Sequence, residues 1–122
     1  MLELTEIIYN GLVSVSAVTT VFGNKIYPLL ADEKVIEPFL TYKIRQFGDS
    51  SKDFLNDFEV VIHNYADDYD SAIAHAKVLN EAMINLSYNE KSYYFNEESK
   101  EPFLTEDQKV YVEQVYSIKI KI

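Results

Sequence analysis

The chain of 122 residues is long enough for one hydrophobic core, and we read it as a single domain, 1–122. It has no cysteine, which excludes disulfide scaffolds, thiolate metal sites and cysteine nucleophiles and agrees with a reducing compartment. Its 20 acidic residues against 11 Lys plus Arg give a formal net charge of −9, the wrong sign for attraction to nucleic-acid phosphates or an anionic membrane.

In chain order, Leu4, Ile7, Ile8, Leu12 and Val15 recur at three- and four-residue steps and predict an N-terminal helix. Gly11 weakens that helix by about 1 kcal/mol relative to alanine. The small and β-branched residues from Ser14 to Thr20 predict a break near Ser14 or Ser16, then a short turn over Val18 to Phe22 with no long second helix. Lys25 to Tyr27 reads as a short strand, which Pro28 must end or hold at a sheet edge because proline donates no ladder hydrogen bond. Pro38 suits the first position of a second strand reaching Phe47, with Leu40, Tyr42 and Ile44 facing inward and Thr41, Lys43 and Arg45 outward.

Turn formers from Gly48 to Asp53 separate it from a third strand, Phe58 to Tyr65, which buries Phe58, Val60 and Ile62. The two strands form an antiparallel hairpin with an acidic tip, since Asp49 to Asp70 holds seven acids against Lys52 alone. Asp67, Asp68 or Asp70 caps the next helix, about Asp68 to Leu86, whose stripe is Tyr69, Ala72, Ile73, Ala76, Leu79 and Met83; Asp70, Lys77 and Glu81 lie opposite. Lys91 to Asn96 forms another strand and Glu97 to Gln108 a connecting loop. In the closing strand Val110, Val112, Tyr116, Ile118, Ile120 and Ile122 alternate with Tyr111, Glu113, Ser117, Lys119 and Lys121, and only Gln114 and Val115 reverse the pattern. We read no internal repeat, low-complexity tract or interdomain linker. The fold class that follows is α+β, an antiparallel sheet of four to five strands packed against two helices.

The order of these pieces carries a resemblance. A helix, the strand Gly23-Asn24-Lys25-Ile26-Tyr27-Pro28, the strand Pro38-Phe39-Leu40-Thr41-Tyr42, a strand leading into a long helix, and a closing alternating strand resemble the tail completion (tail terminator) proteins of long-tailed bacteriophages over nearly the whole chain. That resemblance implies a structural virion protein forming a ring, usually hexameric, at the head-proximal end of the tail tube. There it would stop polymerisation and offer the surface that joins tail to head. Its implied partners are other copies of itself, the tail tube protein and a head-side connector protein; its implied places are the host cytoplasm during assembly and then the virion. A neck or head-closure connector shares the small size, acidity and catalytic silence, and an acidic inhibitor mimicking DNA is a further alternative, disfavoured because the acids cluster in expected loops.

Chemistry is sparse. His63 and His75 fit no zinc spacing. Measured from Asp67, Ala72 stands where a calcium loop needs glycine and Val78 where it needs glutamate. Gly11, Gly23 and Gly48 are too scattered for a phosphate cradle, and no Gly-x-Ser-x-Gly elbow occurs. We therefore assign no catalytic, cofactor or metal residue and expect no enzyme and no cofactor. No apolar run approaches the roughly 20 residues of a membrane span, and the Met1 to Glu6 segment lacks a basic flank, so the expectation is a soluble, unexported protein with no membrane partner. Ten tyrosines and seven phenylalanines point instead to contact surfaces. Tyr93, Tyr94 and Phe95 put aromatic bulk on both faces of one strand, while Glu97, Glu98 and Glu101, with Asp49 and Asp53 in the hairpin tip, are acids placed to meet a basic partner.

Overall fold

A computed structural model describes residues 2–31, 34–46, 58–105 and 109–121. The elements are α1 (Leu2–Val13), α2 (Ser16–Phe22), β1 (Ile26–Pro28), β2 (Phe39–Gln46), β3 (Phe58–Ala66), α3 (Tyr69–Asn89), β4 (Tyr93–Leu104) and β5 (Val110–Ile120). Five strands form one sheet in the order β1-β2-β3-β5-β4, and the helices pack on one face of it, an α+β architecture.

In α1, Leu4, Ile8 and Leu12 are buried at four-residue steps. Gly11 has a use the sequence does not announce: a Cβ there would lie 2.8 Å from the Leu86 side chain, so glycine lets α1 approach α3 closely. The helix breaks after Val13, as the small residues suggest, but Val18 to Phe22 is not a turn. It belongs to α2, because Val18 and Phe22 fall one turn apart and bury completely, and that packing outweighs the poor helix propensity of the segment. Gly23 ends α2 at φ 60° and ψ −127°, a conformation closed to other residues, with its N–H on the Thr19 carbonyl at 2.8 Å.

β1 is an edge strand ending in Pro28, but it runs parallel to β2, with Ile26 opposite Leu40, so the sheet is mixed rather than antiparallel. The long connection from Leu29 to Pro38 allows this, because it carries the chain back to the end at which β1 began. β2 and β3 make the expected antiparallel pair. Their tip, including Asp49, Asp53 and Phe47, lies outside the described residues.

α3 starts where its acids indicate. The Asp68 side chain accepts the Ser71 N–H at 2.7 Å, and that bond holds its carboxyl below the usual carboxylate range. Ala72, Ala76, Leu79, Ala82 and Met83 are buried. Tyr69 is exposed instead of packed, since it sits in the first turn before the helix meets the sheet. The helix runs one turn past Leu86, to Asn89.

The largest departure is β4. Glu97 to Leu104 is strand, not loop, paired with β5 from Tyr116 back to Val110. Residues 96–104 are all exposed, so no face imposes alternation, and one extra residue between Glu97 and Ser99 breaks the period. β5 in turn shows no reversal at Gln114. Val110, Val112, Gln114 and Tyr116 share one face in an unbroken register with β3, and Gln114 is a buried polar residue on the helix side.

Ile118 completes that buried row, and three polar side chains, Asn64 of β3 and Gln114 and Tyr116 of β5, fasten the sheet to α3. Asn64 Nδ2 donates to the Ala72 carbonyl at 3.1 Å, Gln114 Nε2 to the Ala76 carbonyl at 2.9 Å, and the Tyr116 hydroxyl to Asn80 Oδ1 at 3.0 Å. Their partners fall at four-residue steps on α3, so the bonds fix the register of helix against sheet. Burial first, and the Glu97 carboxylate second, hold the Tyr116 hydroxyl far above its ordinary pKa.

Candidate functional site

The helices cover one face of the sheet, and the chemistry of interest lies on the other. Towards one end of the strands on that face, one row crosses four of them: Phe39 of β2 opposite Tyr65 of β3, Tyr65 opposite Tyr111 of β5, and Tyr111 opposite Phe103 of β4. The rings follow the register, with centroids 4.6 Å apart for Phe39 and Tyr65, then 5.2 Å for Tyr65 and Tyr111 and 5.2 Å for Tyr111 and Phe103. Such cross-strand aromatic pairs contribute about 0.5–1 kcal/mol each. Burial, with Tyr111 as a lesser cause, raises the Tyr65 pKa, and a hydrogen bond with Thr41 opposes it.

A polar row flanks the aromatic row on each side. On one side Thr41, His63, Glu113 and Glu101 stand in register, and His63 Nε2 lies 2.9 Å from Glu113 Oε2. On the other, Lys109 Nζ bridges Glu37 Oε2 at 3.2 Å and Asp67 Oδ1 at 2.8 Å, which raises the lysine pKa. Thr105 closes this second row, its hydroxyl accepting the Lys109 N–H at 3.0 Å.

The register exposes a repeat that a reading of the chain for periodic tracts passes over. Glu37-Pro38-Phe39-Leu40-Thr41 recurs unchanged as Glu101-Pro102-Phe103-Leu104-Thr105. In the pairing register, a two-fold relation normal to the sheet and centred between Tyr65 and Tyr111 exchanges β2 with β4 and β3 with β5 and brings Phe39-Leu40-Thr41 to the places of Phe103-Leu104-Thr105; the segments differ ahead of these, where Glu37–Pro38 is cis and precedes the strand while Glu101 and Pro102 belong to β4. It also carries Lys109 onto His63 and Asp67 onto Glu113, a base for a base and an acid for an acid. Five residues are too short to stand out along the chain, and the strands around them must be paired before the symmetry exists.

The two halves differ in what covers them. Over the β2 half lies an open cavity of about 440 Å³, lined by Leu29, Leu30 and Val35 of the connection after β1 and by Phe39, Val61 and Tyr65 of the sheet, and reaching Thr105 and Lys109 at its margin. Leu29 has φ 68°, and the Leu30 N–H bonds the Pro28 carbonyl at 2.8 Å, which makes a γ-turn of the rare, strained positive-φ kind. That turn leaves Leu29 and Leu30 63% and 77% exposed at the cavity rim. The β4 half has no such cover among the described residues, and Phe103 and Leu104 are 36% and 71% exposed.

The residues singled out from sequence are dispersed. Phe95 is core, its backbone bonded to Ser87 Oγ, and Tyr93 packs beside it. Tyr94 faces the opposite way and is exposed, with the Lys121 ammonium 4.8 Å from its ring centre. Glu97, Glu98 and Glu101 are exposed on β4, while Asp49 and Asp53 lie outside the described residues. Sequence reasoning missed the aromatic row because its four members sit in four different strands; the repeated pentapeptide was the available signal.

Among the described residues no three His, Asp or Glu side chains come together as a metal site. None of the helices there is by itself long and apolar enough to cross a membrane; α1 and α2 pass by length and composition only as a pair bent by 86°, and both bury apolar residues in the core. The chain matches no known family model, and no curated protein is significantly similar to it.

Proposed function

We propose that the protein is a structural assembly component that caps the head-proximal end of a phage tail tube as a ring and offers the surface for head joining. The observation that carries this reading is the aromatic row from Phe39 to Phe103 on a sheet face that no helix covers among the described residues. A wide apolar stripe bordered by charged rows has the anatomy of a protein contact, with an aromatic centre and a polar rim. The resemblance of element order to tail completion proteins supplies the biological role. Ring formation requires a heterologous contact, two different surfaces of each subunit meeting head to tail. A DNA-mimic reading fits less well, because the rows beside the aromatics place His63 and Lys109 against the acids instead of presenting carboxylates alone.

The acids on β4 give the test. Replacing Glu97, Glu98 and Glu101 together with lysine is expected to leave the melting temperature nearly unchanged, since all three are exposed, and to lower the yield of capped, head-joined tails in an assembly assay. Joined particles at normal yield with unchanged salt dependence would remove these acids from the contact.

A further inference from the structure

We propose that the outer edge of β4 around Phe103 to Thr105 binds an extended segment of a partner protein, basic at its start and apolar at its end, running parallel to β4. The proposal holds whether or not the partner belongs to a phage tail. It rests on the repeated pentapeptide and the two-fold relation, which make β4 the counterpart of β2, and β2 shows how such a strand is covered.

Beside β2, Ile26 of β1 stands opposite Leu40 in parallel register, and the Leu40 N–H donates to the Lys25 carbonyl at 3.1 Å. Leu104 occupies the place of Leu40 in the second pentapeptide. The Thr105 N–H turns inward to the Lys109 carbonyl at 2.7 Å, so the neighbouring Leu104 N–H points to the outer edge. Pro102 brings no N–H to this edge, just as Pro38 brings none beside β1. The β4 edge thus offers backbone groups where β2 uses them, beside an aromatic ring and a leucine that remain exposed.

Charge gives the partner its polarity. Ahead of Phe103, β4 exposes Glu97, Glu98 and Glu101 against Lys100. A segment parallel to β4 passes those acids before it reaches Leu104, so its leading residues are lysine or arginine and its trailing ones aliphatic or aromatic. β1 has the same order on a small scale, with Lys25 ahead of Ile26 and Tyr27. Strand addition of this kind draws affinity from main-chain bonds and selectivity from side chains.

A synthetic peptide that copies Gly23 to Leu30 behind two added lysines is the probe. Titrated into the ¹⁵N-labelled protein, it is expected to give saturable amide shifts over Lys100 to Thr105. Affinity should fall about tenfold for Phe103→Ser, and similarly when the peptide's lysines become glutamates. Phe103 is partly exposed, so the unliganded spectrum of that variant verifies its fold. Absence of shifts at millimolar peptide overturns the proposal. So do shifts confined to Leu40 to Tyr42, which report displacement of β1, and equal binding by a scrambled peptide, which reports charge attraction alone.

Discussion

Ile118 and Lys119 are adjacent in β5 and point to opposite faces, the first completely buried and the second exposed. Ile118→Asp is expected to cost about 3 kcal/mol or more by placing an unpaired carboxylate in the core, while Lys119→Glu stays within about 0.5 kcal/mol. Equal chemical denaturation midpoints would contradict this placement. His75 carries a different signature. Burial lowers its pKa from the ordinary 6.5, against a smaller opposing effect of Asp68, and its ring meets Phe22 edge-on at 5.5 Å. The unfolded chain therefore takes up the proton first as pH falls, so the contribution of neutral His75 is complete above about pH 6.5 and is lost below it. Relative to wild type, His75→Leu should gain stability between about pH 7 and pH 5, as read from melting temperatures at each pH. A difference independent of pH would show that His75 does not titrate differently on folding.

The contact between α3 and the sheet combines small apolar residues with the three polar ties at Asn64, Gln114 and Tyr116. Gln114 Oε1 is buried with no hydrogen-bond partner among the described residues, so the amide brings an unsatisfied acceptor along with its useful donor. Gln114→Met removes both and is expected to change stability by no more than about 1 kcal/mol. A loss above about 3 kcal/mol in urea denaturation would mean that the amide is indispensable to docking. These ties were not legible in the sequence, where Gln114 reads as a break in alternation. Alternation reports which face is dry, not which polar group finds a partner there. For the same reason α1, α3, β2, β3 and most of β5 were readable, each having one buried stripe, whereas β4 beyond Asn96 was not, having none. The parallel placement of β1 was equally hidden, since three residues carry no direction. The aromatic row was legible only in part: each aromatic was visible, but their alignment needs the register of four strands.

Across the whole molecule, the helices close one face of the sheet and leave an aromatic row with charged borders on the other, and an outer edge at β4 that nothing described here covers. This division suits a protein whose work is contact. Two surfaces unlike each other permit a head-to-tail ring, whereas a closed two-fold dimer with a large interface would consume the surface that ring closure needs. The most direct measurement is electron microscopy of tubes assembled from a phage tail tube protein, formed with and without this chain. The account predicts tubes of limited length bearing a ring at one end when the chain is present, and unlimited tubes when it is absent. Tubes of the same length distribution in both preparations, with no density added at either end, would contradict it.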